Sequence, residues 1–433
     1  MAMKKGEAQN EVSGTRFRLY PQSPNANDNV EPEIVYVSSP VGSLGAGPSD
    51  ERMYTVYPIG KQIHYGLHGN DEGDPLLFLP PWHGEIHVPV QPGPNGHFDH
   101  LLPGTRDFDA AHLFGCARFT LDVWEGYFGR QLDWHFAEDY ERLELSLLPS
   151  VDNAFMGWGF LEAGGIEVEG KYSAFYLNFD VIAHEIGHGI IYNEIGLPPG
   201  KGDDGEYLGF HESAGDITSM IASMHFDSVI DNLLQTTHGN LYTMNRLTRF
   251  AETGSHNQIR LAANDHVMSE FADVWDDEHD IGEPLTGAVF DILVDVFHEK
   301  LLSHGLIPKE LESLSDTLEG QNNYTAVLQA EFDKYYASEP EGFRHTLLLA
   351  RDYLGSYMAD TWQLLDAESL SYKGVAMTMV NIDHEISGGK YSNIIAENFN
   401  MREIGQYIPG KRISKPKGGS HLLAHRTMTP YDL

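Results

Sequence analysis

The sequence predicts an α+β protein of two lobes, sheet-rich in its N-terminal half and helical in its C-terminal half. Three observations predict it. From Glu51 to about Gly104, short apolar pieces (Met53–Tyr57, Leu76–Leu79, Ile86–Val90) alternate with Gly, Pro, Asn and Asp, the texture of strands and turns. After Phe210 the apolar residues recur at helical spacing. Between the two textures lies one helix, running from about Asp180 and stopped at Gly196, that concentrates histidine and carboxylate. With 433 residues, 41% of them apolar, the chain can bury a large core, and two domains are the natural division.

In chain order, residues 1–50 are polar and rich in Pro, Gly, Ser and Asn, and read as a flexible lead with one strand at Glu33–Ser38. Residues 51–200 form the sheet-rich lobe. Within it, Ala110–Asp133 reads as a helix from the stripe Ala111, Phe114, Ala117, Leu121 and Trp124. Leu143–Leu148 and Ala154–Leu161 read as strands, the second an edge on which an extended peptide could pair as a further strand. Residues 201–408 form the helical lobe, with helices at His211–Asp227, Val229–Gln235, Leu285–Leu302, Tyr324–Ser338, His345–Ala359 and Tyr391–Phe399. Residues 409–433 are a basic tail.

The formal net charge of −36 argues against nucleic acid and against anionic membrane surfaces, which repel so acidic a partner. No apolar run approaches the roughly 18–20 residues that cross a bilayer, so membrane insertion is not expected. The start MAMKKGEAQNEVSG lacks an apolar h-region, so no secretory signal is read there, and the chain is expected to be soluble. The single cysteine, Cys116, sits among Leu113, Phe114 and Phe119 and reads as a small buried hydrophobe.

The chemistry concentrates in Asp180–Asp216. His184-Glu185-Ile186-Gly187-His188 sets two imidazoles four residues apart, about 5–6 Å on one helix face. From there both reach one metal at about 2.0–2.1 Å. Val181, Ile182, Ala183, Ile186, Ile190 and Ile191 half-bury that helix, and Gly196 and Pro198-Pro199 stop it. On the next helix Glu212 and Asp216 are four apart. Glu212 suits a third ligand, and Asp216 an acceptor for the spare N–H of a ligating histidine. Two His and one Glu leave a fourth position for water, the pattern of a catalytic zinc. Glu185, beside the first histidine, is then placed to take a proton from that water.

HExxH followed by ExxxD at this distance resembles the thermolysin-like zinc metallopeptidases. The similarity spans roughly Ala110–Gly405 and is dense around the zinc motif. It implies hydrolysis of peptide bonds, with a peptide or protein as substrate and Zn²⁺ as cofactor. Asn153-Ala154-Phe155 resembles the edge strand that holds the substrate main chain. Ile259-Arg260-Leu261 resembles the segment whose arginine clamps a substrate carbonyl. His279, in the acidic run Asp273–Asp280, resembles the histidine that stabilises the oxyanion. The chain departs from the family twice. Pro199 stands where a tyrosine is usual, with Tyr207 nearby in a different register. Ser223 stands where a calcium-binding Glu is usual, so Asp180 alone leaves Ca²⁺ open. The missing tyrosine and the acidic surface keep a zinc hydrolase of another bond as an alternative. A non-catalytic protein retaining the fold is a further alternative, against which the intact Glu185 counts.

Overall fold

The computed structural model describes residues 14–25, 30–69, 75–168, 170–198, 205–241, 249–250, 260–262, 264–271, 278–311 and 324–404. The basic tail lies outside them. Mixed α and β structure is present, strands dominating before residue 175 and helices after it.

The lead is not loose where it is described. β1 (Thr15–Leu19) and β2 (Glu33–Val37) pair antiparallel, Thr15 opposite Val37 and Leu19 opposite Glu33. Their alternation buries Phe17, Leu19, Val35 and Val37 against α1 (Arg106–Phe128), with the Phe17 ring 5.8 Å from that of Phe114. β2 is the strand expected at Glu33–Ser38, whereas overall polarity hid β1, because only every second residue needs to be apolar in a one-sided strand. Helix α1 begins four residues before the expected Ala110, since the Thr105 side chain caps it by accepting from the Phe108 N–H. It ends at Gly129, whose φ of 66° suits a glycine terminator.

The main sheet holds β3 (Met53–Val56), β6 (Leu143–Leu147), β7 (Ala154–Met156) and β8 (Phe160–Ala163) in the order β3-β6-β8-β7. The single strand expected over Ala154–Leu161 is a hairpin, turned at Gly157–Gly159, with Gly159 at φ 88°. β7 is therefore an edge strand, antiparallel to β8 and packed against α2 (Phe179–Glu194). In β6 every residue is buried. Leu143, Leu145 and Leu147 join the apolar core, while Glu144 lies on the face met by Tyr65 and Trp82. The hairpins β4 (Gly66–Gly69)–β5 (Pro75–Phe78) and β9 (Gly165–Val168)–β10 (Lys171–Ala174) complete the strand-rich part. Ile86–Val90 is no strand; it makes only isolated bridges through Ile86 and Val90.

Beyond α2 come α3 (Gly205–Ser223), α4 (Asp227–Thr237), the short pair β11 (Arg249–Phe250) and β12 (Arg260–Leu261), and α5 (Glu278–Ser303). Then follow α6 (Tyr324–Ser338), α7 (Pro340–Trp362), α8 (Tyr372–Ile386) and α9 (Ser392–Met401). α8, unanticipated from sequence, is capped by Ser371 and buries Val375, Ala376, Met379 and Val380. One apolar core runs continuously from Phe17 to Ile404, and the stacked rings of Trp124 and Trp362, 4.5 Å apart, join α1 to α7 within it. Among the described residues no helix is long and apolar enough to cross a membrane.

Candidate metal centre

Two glycine contacts build the centre. A Cβ at Gly187 of α2 would lie 2.9 Å from the Gly215 Cα of α3, and one at Gly215 would lie 2.6 Å from the His184 ring. Only glycines let these helices approach closely enough for both to present side chains to one point. Helix α5 meets α3 in the same way, a Cβ at Gly282 falling 2.8 Å from the Gly209 carbonyl oxygen. That contact carries His279, in the first turn of α5, up to Glu212.

The ligand-type atoms of His184, His188 and Glu212 lie within 4.8 Å of one another, and all three residues are buried. His184 Nε2 is 3.2 Å from Glu212 Oε2, and His188 Nε2 is 3.6 Å from Glu212 Oε1. Tetrahedral bonds of about 2.0–2.1 Å place donor atoms roughly 3.3 Å apart, so the spacing fits a zinc-sized cation. Behind the first histidine, His184 Nδ1 lies 3.0 Å from Asp216 Oδ1. With its Nδ1 proton directed to Asp216, His184 can present Nε2 to a cation shared with the Glu212 carboxylate. A positive charge at this point, carried by a proton or by a metal ion, is what the spacing accommodates. Burial alone would push Glu212 up, but the imidazoles of His188, His184 and His279 outweigh it and hold the carboxyl well below the usual carboxylate range.

Asp216 is thus where the helix register puts it, on His184. Glu185 is buried on α2 beside that histidine. His279 Nε2 is 3.2 Å from Glu212 Oε2, and its side chain is 45% exposed, so it stands at the open side of the group. Its acidic neighbours Asp273–Asp277 lie outside the described residues. Asn153 precedes the edge strand, and its Oδ1 accepts from the Ala154 N–H at 2.9 Å, leaving its NH₂ as the group it can offer a ligand. Ala154 begins β7, buried against α2. Arg260 is in β12, opposite Phe250, and its side chain is outside the described part. Tyr207 is buried with its hydroxyl donating to the Gly196 carbonyl at 2.8 Å, a tie to the end of α2. Ser223 Oγ donates to Asp180 Oδ1 at 3.0 Å, a hydroxyl occupying the acid that calcium would need. Among the described residues the one group of three or more His, Cys, Asp or Glu placed to hold a metal is His184, His188 and Glu212.

Sequence reasoning missed His211. It is fully buried next to Glu212, with Nδ1 3.0 Å from His188 Nδ1, and burial pushes its imidazole down to about 3. The signal was available. A ligating histidine needs a partner for its second nitrogen, and none had been assigned to His188.

No family model matches the chain, and no curated protein does. Among solved structures, the precursor of protealysin, a metalloproteinase from Serratia proteamaculans, is similar at 12% identity and a TM-score of 0.47, over 84% of this chain and 90% of that one. A likeness of that size carries no argument about what this chain does.

Proposed function

We propose that the protein is a zinc-dependent metalloendopeptidase of thermolysin-like architecture, with residues 51–200 and 201–408 as the lobes flanking its cleft. The observation that carries this reading is the convergence of two buried imidazoles and one carboxylate, their outer nitrogens already committed, beside a buried glutamate. His184, His188 and Glu212 would hold the zinc. When bound, it supplies Lewis acidity toward water and the scissile carbonyl.

The protein's own groups do the rest. Glu185 accepts the proton of the attacking water and returns it to the departing amine, so that the C–N bond breaks with a neutral leaving group. His279 donates from the open side to the carbonyl oxygen as negative charge grows there. An extended peptide pairs with the free edge of β7, where Ala154 and the Asn153 amide hold its main chain, and Arg260 holds a substrate carbonyl. The edge position of β7 and its packing against the metal-bearing helix favour a peptide over another hydrolysable bond.

The test is incubation of zinc-loaded protein with a random peptide library, with product termini read by mass spectrometry. Internal cleavage that stops in Glu185→Gln supports the reading. Ester hydrolysis without peptide cleavage contradicts it.

A further inference from the structure

The two histidines of the centre look equivalent in the sequence and are not. His184 is backed by the Asp216 carboxylate, whereas His188 is backed by a second imidazole, His211, at 3.0 Å between the two Nδ1 atoms. Two ring nitrogens at that distance cannot both carry protons. His188 faces Glu212 through Nε2, so for that nitrogen to offer a lone pair to a cation its proton must sit on Nδ1. His211 Nδ1 is then the acceptor, and the His211 proton is on Nε2.

The surroundings hold His211 in this place. The Tyr192 ring packs 4.3 Å from it and the Tyr207 ring 5.0 Å, and Tyr207 is anchored on Gly196. The ring cannot swing away without opening the α2–α3 contact. On the outer side His135 packs 4.9 Å from Tyr192, bonded to the Gly189 backbone, and its Nδ1 is a buried ring atom with no hydrogen-bond partner, as is His211 Nε2.

We propose that His211 is a positioning residue for His188, fixing its ring and its Nδ1–H tautomer through an uncharged imidazole. The proposal rests on the zinc reading above. It makes the ligand set asymmetric, one imidazole made more basic by an anion and the other held by a neutral partner.

The experiment measures zinc affinity by competition with a chelating dye, and the visible spectrum after cobalt substitution, for wild type, His211→Leu and His211→Asn. Removing the acceptor in His211→Leu should weaken zinc binding by about 10–100-fold and shift the cobalt bands. His211→Asn, whose amide oxygen accepts the same proton, should recover most of both. Affinity in His211→Leu equal to wild type, or an Asn variant no better than Leu, overturns the proposal. Should the leucine variant not fold, ¹⁵N-histidine spectra of zinc-loaded wild type decide it. Protons on His188 Nδ1 and His211 Nε2 support the assignment, and a proton on His211 Nδ1 refutes it. The two readings fail separately. Weaker zinc binding in His211→Leu, together with zinc-loaded wild type that cleaves no peptide, supports the positioning role and removes the peptidase reading.

Discussion

Two clusters of buried carboxylate lie in this molecule, and they differ in where their protons come from. On the main sheet, Glu162 takes the Lys61 ammonium at 2.5 Å and the Tyr65 N–H at 2.5 Å. Its neighbour Glu144 accepts from the Tyr65 hydroxyl at 2.7 Å, the Tyr54 hydroxyl at 2.8 Å and the Trp82 N–H at 3.0 Å. There the partners are an ammonium, two hydroxyls and two backbone N–H groups of the chain itself. Around Glu212 the partners are imidazoles, and those of His184 and His188 have their outer nitrogens engaged elsewhere. The first cluster is closed and holds the sheet to Lys61, Tyr65 and Trp82. The second brings two imidazoles and a carboxylate to one point and, on the reading proposed above, would be completed by a cation. Burial of a carboxylate is common to both, so burial does not mark function; the direction of the donors does.

The largest way to sharpen the contrast is Glu185→Gln. Glu185 lies beside His184 but outside the group that could hold a metal, so under the proposed function the variant should keep its zinc while kcat falls by about 10²–10⁴. Steady-state kinetics on a cleaved peptide, with metal analysis of the same sample, checks both halves. Activity near wild type would mean that another group takes the proton.

Breaking the closed cluster should act on stability alone. Lys61→Met leaves the Glu162 carboxylate buried without its cation, which costs about 3–5 kcal/mol. Urea unfolding should register that loss while zinc content stays unchanged. Burial already pushes Lys61 down and Glu162 up, against their mutual attraction. Replacing both with an apolar pair should therefore recover much of the loss.

A smaller effect belongs to an acid of a third kind. Asp109 on α1 has one carboxylate oxygen buried without a hydrogen-bond partner, and burial pushes it up to about 7. Its folded value lies above the unfolded value of about 4, so its contribution to stability is complete below about pH 4 and is lost as pH rises through about 7. Asp109→Asn should accordingly lose less stability than wild type between pH 5 and pH 8. Equal losses in urea midpoints would show that Asp109 ionises as freely in the folded protein as in the unfolded chain.

The site was more legible than the fold around it. His184, His188, Glu212 and Asp216 could be read because helix geometry converts a spacing of four directly into a shared face. The second strand of the β1–β2 ribbon was expected at Glu33–Ser38, but β1 escaped because two or three alternating apolar residues are a weak signal inside polar sequence, and tertiary packing on α1 supplies what local pattern does not. The hairpin at Gly157–Gly159 was read as one strand since its turn glycines lie among apolar residues on both sides. His211 was in view but unassigned, because its role depends on a contact between helices and not on its own neighbours.

The central claim is that the Glu212 group is open to one metal ion, and metal stoichiometry tests it most directly. Protein equilibrated with zinc, desalted and analysed by mass spectrometry of the element should carry about one zinc per chain, with His188→Ala carrying none and Lys61→Met carrying as much as wild type. Full zinc occupancy in folded His188→Ala would contradict the account.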